Sequence, residues 1–309
     1  MMNMHLPSPI TERLLAGYQR INTDSVDAGD VPHDLLSAVL LVCDNQARSS
    51  FNRDRAPIDA AMRGTVVIGW RLPLQVALRT LSTVQQDTLY ELAPELTVYF
   101  VAGAPAMQLE NRNTSLHLSN GQLGVMHSLT LDAATDRFVR QRVASASAGD
   151  VIMLPHGTLP QYVNVTFNVS ARDFERYWNS EQYLEALPHL CADGATVSHF
   201  AVTVPFPAVV STTEASEEIK SIKIGKGKTA QRFYYCKPYV DLAFAITYWK
   251  CQGLTLDNVV VDFSFRVRNL SLAVVYVVLS RVRDSKHMWL LSCDMRYLHG
   301  LTRNKYVML

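Results

Sequence analysis

The chain has 309 residues, of which 48% are hydrophobic and 18% charged, and its formal net charge is +1. That balance supports a sizeable core and excludes disorder as the default state, and near-neutrality excludes a surface that attracts polyanions everywhere. The five cysteines, Cys43, Cys191, Cys236, Cys251 and Cys293, stand far apart with no C-x-x-C pair, which argues against a zinc site or a disulfide framework and for a reducing intracellular compartment.

Residues 1–35 are polar and mixed, with a helix expected around Thr11 to Asn22. Ala38 to Cys43 is a continuous apolar run closed by Asp44-Asn45, the pattern of a strand buried on both faces of a parallel sheet. Gln46 to Met62 is rich in helix formers and stops at Arg63-Gly64, and Thr65 to Trp70 follows as another strand. Strand, helix, strand is the grammar of a parallel sheet covered by helices.

From about Leu96 the pattern changes. Thr97 to Val101, Ala106 to Leu109, Val125 to Leu131, Val151 to Leu154, Tyr162 to Val169 and Val202 to Val204 are short strand candidates between Gly, Pro, Asn and Ser. Asn120-Gly121 is a turn signal between two of them. Ser211 to Thr229, acidic and then Lys-rich, suits an exposed hairpin or loop. After Pro238 the first grammar returns, through Asp241 to Ala245, Val259 to Phe263, the segment 272–279 and a last strand at Met288 to Cys293. Val274 to Val278 is β-branched, so 272–279 fits either a strand or a buried helix. The expected architecture is one α/β domain interrupted by a β-rich insertion.

Two stretches could carry chemistry. Thr247, Lys250 and Gln252, followed by Gly253 and a Val-rich strand, suit contact with phosphates or a sugar; an ordinary exposed loop before a core strand looks the same. In Ser280-Arg281-Val282-Arg283 an arginine ends an apolar element. There it could reach a neighbouring domain's nucleotide, or simply cap a helix C-terminus. Gly225-Lys226-Gly227-Lys228-Thr229 has the tail of a phosphate loop, but the glycine required five positions before Gly227 is Ile222, so a basic hairpin touching a nucleic-acid backbone fits better. The nine histidines form no H-x-x-x-H or H-E-x-x-H group, so no metal site is expected. No G-x-S-x-G is present, and no secretory signal or bilayer-length apolar run is evident.

Taken together, Ala245-Ile246-Thr247-Tyr248-Trp249-Lys250-Cys251-Gln252-Gly253-Leu254-Thr255, then Val259-Val260-Val261-Asp262 and Tyr276 to Arg283, resemble motifs V and VI of the petite-integration-frequency (PIF-type) DNA helicases, relatives of RecD and of Helitron transposon helicases. Leu41 to Asn52 resembles the family's motif IV. Gly103 to Asn111 with Asn120-Gly121 and Gly124 resembles its entry into an inserted module. The resemblance implies an α/β fold with a RecA-like parallel-sheet domain (2A, residues 36–95 and 237–309). An SH3-like β-rich insertion (2B, 96–236) would interrupt it, and a helical segment (1–35) would precede it.

It further implies that Gln252 and Gly253 face ATP and that Arg281 is the catalytic arginine finger. Asn45, Asn52, Thr247, Trp249, Lys250 and Thr255 would lie along single-stranded DNA. Trp249 stands where the family has His, and Val278 where it has Ala. An indole can stack a base, worth about 1–3 kcal/mol, without making the histidine's polar contact. The motor also needs G-x-x-x-x-G-K-[ST] and an Asp-Glu pair, which these residues do not supply. ATP and Mg2+ are therefore expected only together with a separate or upstream P-loop domain, and the chain is not expected to hydrolyse ATP alone. The expected setting is intracellular and nuclear, with the mitochondrion as alternative, in DNA repair, recombination or telomere maintenance. Two other readings stay open: a non-catalytic nucleic-acid-binding remnant of a transposon helicase, and a partner that donates Arg281 in trans.

Overall fold

The computed structural model describes residues 19–21, 37–74, 83–111, 119–167, 201–205, 219–224, 231–236, 238–263 and 271–291. The chain forms two compact units, one built from Met1–Phe51 and Phe244–Leu309, the other from Asn52–Ala243.

The first unit holds a five-stranded sheet in the order Gln19–Ile21, Met288–Leu291, Val259–Asp262, Val39–Val42, Ala245–Thr247. Every pairing in it is parallel. Apart from Gln19–Ile21 its strands are short and mostly apolar: Leu41, Val42, Val259, Val261, Met288 and Leu290 are all buried, as expected where both faces of a parallel sheet are covered. Adjacent parallel strands need a crossover, and the helix Leu272–Leu279 supplies it between Val259–Asp262 and Met288–Leu291. Ser271 accepts from the Val274 amide at its start, and Val275, Val278 and Leu279 are buried. Valine's weak helix preference is overridden by burial of that face.

The next connection is unusual. Ala245–Thr247 and Val259–Asp262 flank Val39–Val42 on opposite sides, so residues 248–258 must return from the C-terminal end of one strand to the N-terminal end of the other. They do so without a helix. The Tyr248 amide donates to the Val42 carbonyl at 3.0 Å, and the Val39 amide to the Asn258 carbonyl at 3.0 Å.

The second unit is β-rich. One antiparallel sheet has the order Val240–Leu242, Pro105–Gln108, Leu123–Thr130, Tyr162–Phe167, Ala201–Pro205. A three-stranded sheet sets Val67–Arg71 between Thr97–Val101, antiparallel, and Val151–Met153, parallel. The helix Ala133–Val143 starts at Asp132, whose carboxylate accepts from the amides of Ala134 and Thr135, a standard N-cap. Ile219–Ile224 pairs antiparallel with Gln231–Cys236, and Phe233 of the second strand packs with Leu89, Tyr90, Ala93 and Leu96.

Three expectations are corrected. Gln19–Ile21 is a strand paired with Trp289–Leu291, not part of a helix; the remainder of the expected Thr11–Asn22 helix lies outside the described residues. Thr65 to Trp70, expected in the parallel sheet, contributes Val67–Arg71 to the second unit. The units divide inside the helix Asn45–Met62 and at Ala243/Phe244, rather than at 95/96 and 236/237. An apolar run reports that a strand is buried, not which sheet buries it. The Gly225 to Thr229 stretch lies outside the described residues.

Candidate functional site

The site starts where Ala245–Thr247 ends. The Thr247 carbonyl accepts from the amides of Lys250 at 2.9 Å and Cys251 at 3.2 Å, and the Cys251 carbonyl from the Leu254 amide at 3.1 Å. These bonds fold residues 247–254 into consecutive tight turns. Gly253 completes them at φ +81°, with nothing within 4 Å of where a Cβ would stand, so backbone conformation rather than crowding calls for glycine.

Alternate side chains anchor this turn or project from it. Tyr248 is buried, its hydroxyl donates to the Asp262 carbonyl, and its ring lies 6.0 Å from that of Phe263. Cys251 is buried, and its thiol donates to the Tyr248 carbonyl at 3.0 Å. Burial pushes that thiol up to about 11, against the opposing pull of the Arg281 charge. Leu256 is buried, with its amide on the Arg281 carbonyl at 2.8 Å. Trp249 is 51% exposed; Gln252, Gly253 and Thr255 are also exposed, and Lys250 is half-buried.

Arg281 sits just past the helix Leu272–Leu279, half-buried, and its guanidinium lies on the turn. Nη1 donates to the Leu254 carbonyl at 3.0 Å and the Cys251 carbonyl at 3.4 Å. Nε donates to the Val277 carbonyl at 2.6 Å, and Nη2 to the Ser280 hydroxyl at 2.6 Å. The carbonyls of residues 251 and 254 bracket Gln252-Gly253, so the structure brings Gln252, Gly253 and Arg281 together.

The residues expected along nucleic acid divide. Thr247 pairs with Val42 across two adjacent parallel strands. Lys250 and Asn45 therefore each lie three residues beyond the same end of the sheet, the edge where open α/β sheets bind ligands. Asn45 is exposed and begins the helix Asn45–Met62. Thr247 is 5% exposed, and its carbonyl serves the turn. Asn52 belongs to the second unit, is 3% exposed, and its amide donates to the Leu242 carbonyl at 2.6 Å.

Three neighbours had no role assigned from the sequence. Asp44 accepts from the Ala47 amide at 2.8 Å and sets a carboxylate beside Asn45. Its oxygen also receives the Cys43 thiol, and burial, followed by that bond, pushes Cys43 up to about 11. Ser280 orients Arg281, and Tyr276 exposes 66% of its surface on an otherwise apolar helix. Among the described residues no three His, Cys, Asp or Glu side chains gather in a way that could hold a metal ion, and no helix is long and apolar enough to cross a membrane.

Residues 239–305 match the herpes helicase family model, described as a helicase. That segment contains the whole turn and Arg281, and in sequence it is helicase-like. No curated protein matches the chain. Among solved structures it is similar to the Pif1 helicase from Candida albicans, with 15% identity over 97% of this chain and 53% of that one, TM-score 0.43. It is also similar to a Bacteroides Pif1 bound to single-stranded DNA, with 13% identity over 98% of this chain and 49% of that one, TM-score 0.44. The chain spans about half the length of these proteins.

Proposed function

We propose that the chain is the C-terminal motor half of an ATP-dependent, PIF-type 5′-to-3′ DNA helicase. In this reading the first unit is the RecA-like 2A domain and the second contains an SH3-like 2B module. ATP and Mg2+ would be held by a P-loop domain outside these residues, toward which Gln252, Gly253 and Arg281 face. Trp249, Lys250, Thr255 and Asn45 would meet single-stranded DNA, the indole by stacking and the ammonium by a phosphate contact.

One observation carries this reading: within the helicase-like segment, the Arg281 guanidinium donates to the Leu254 carbonyl at 3.0 Å and the Cys251 carbonyl at 3.4 Å, the two residues that flank the exposed Gln252-Gly253 pair. A fluorescence-anisotropy titration with a labelled single-stranded oligonucleotide tests it. Binding at low salt that weakens as salt rises supports the reading, and no binding at low salt removes it.

A second reading, a non-catalytic nucleic-acid-binding remnant, draws on Trp249 in place of the family's histidine. Adding the chain to a P-loop ATPase candidate separates the two. A gain in turnover that Arg281→Ala abolishes supports the motor, and also the variant in which the arginine is donated in trans.

A further inference from the structure

We propose that Arg281 is a positioning residue for the turn that presents Trp249 and Lys250 to single-stranded nucleic acid. The inference rests on the proposed nucleic-acid reading for its ligand, but on geometry alone for the positioning.

Residues 248–258 cross the sheet with no helix or strand of their own, so their shape depends on a few anchors. The side chains of Tyr248, Cys251 and Leu256 hold the turn from within. Between Cys251 and Leu256 the chain passes through Gln252 and Gly253, exposed and with Gly253 at positive φ, where nothing apolar pins it. Arg281 reaches that stretch. Its Nη1 closes on the carbonyls of Cys251 and Leu254, while Nε and Nη2 are fixed on Val277 and Ser280 at the end of the helix. A planar guanidinium held at one edge and bonded at the other acts as a rigid strut, which a lysine's single ammonium does not reproduce. The side chain that the resemblance directs at a nucleotide thus also sets the shape of the loop bearing Trp249 and Lys250.

The test uses the full chain. Peptide-level hydrogen–deuterium exchange over 249–256 is expected to run at least about tenfold faster in Arg281→Ala, since charged hydrogen bonds are lost. Arg281→Lys should recover part of that protection. In parallel, affinity for a labelled oligothymidine should fall roughly three- to tenfold in Arg281→Ala, with the slope of log K against log salt unchanged, because no phosphate contact is removed. Lys250→Ala should lower that slope by about 0.7.

A slope that falls by about 0.7 in Arg281→Ala would mean that Arg281 touches phosphate itself, and positioning is overturned. Unchanged exchange in a folded Arg281→Ala overturns it equally. If that variant does not fold, Arg281→Lys decides: exchange identical to wild type sinks the strut, and faster exchange keeps it. If the wild type binds no oligothymidine, the functional reading fails, and the exchange data alone still settle the positioning.

Discussion

The side-chain amide of Asn52 donates to the Leu242 carbonyl at 2.6 Å across 190 residues of sequence. Both groups are buried in the second unit, so the bond ties a helix to a short edge strand within one core. Asn52→Ala leaves the Leu242 carbonyl short of this donor and should destabilise by about 1–3 kcal/mol. Denaturant unfolding followed by circular dichroism checks this. Oligonucleotide affinity per folded molecule should not change, and a selective loss of affinity would return Asn52 to the nucleic-acid groove.

Gly253 separates conformational strain from crowding. Its φ of +81° disfavours any Cβ, yet nothing lies within 4 Å of where one would stand. Gly253→Ala should therefore cost about 1 kcal/mol through backbone alone, and Gly253→Asn less, because asparagine tolerates the left-handed region. A loss of several kcal/mol in a thermal melt would reveal packing that the geometry excludes.

Trp249 should matter for binding and not for folding. With 51% of its surface exposed, Trp249→Ala should shift stability by less than about 0.5 kcal/mol. The same change should weaken oligonucleotide binding by about 1–3 kcal/mol if the ring stacks a base. Anisotropy titration beside a melt reads both quantities, and equal affinity would remove the indole from the interface.

The buried thiol of Cys251 makes a prediction about alkaline pH. Its value rises from 9.0 to about 11 on folding, chiefly through burial. Well below pH 9 the thiol is essentially neutral in both states and its contribution to stability is intact. As pH climbs from 9.0 toward 11 the unfolded chain releases this proton and the folded chain keeps it, so stability is lost across that window. The unfolding midpoint should drop there more steeply for wild type than for Cys251→Ala. At pH 8 the raised value also predicts thiolate-dependent alkylation about a hundredfold slower in the native protein than after denaturation, as mass spectrometry would show.

Much of the first unit could be read from its residues, because apolar runs such as Val39–Val42 and Val259–Asp262 mark strands buried on both faces. The helix Leu272–Leu279 could not be separated from a strand, since its β-branched valines satisfy either pattern; Ser271 at its start decides, and only in three dimensions. Gln19–Ile21 carries no apolar run, and it is a strand because Trp289–Leu291 offers it a partner. Within the site, the nearness of Arg281 to Gln252-Gly253 was reachable only through resemblance. The two bonds that bring them together join the Arg281 side chain to the backbone carbonyls of Cys251 and Leu254, which leave no trace in composition or spacing. The bond from Asn52 to Leu242 was hidden for a related reason, because a lone polar residue on a helix does not announce a partner 190 positions away.

A guanidinium carries five hydrogens it can donate. In Arg281 the carbonyls of Val277, Cys251 and Leu254 and the hydroxyl of Ser280 engage four of them. An incoming oxyanion thus meets a nearly saturated cation, and a two-pronged grip requires it to evict a resident oxygen first. Feebly accepting anions such as chloride gain little from that exchange, while a group bearing several charged oxygens recovers what it displaces. On the proposed reading, an anion would have to compete with these resident oxygens for Arg281.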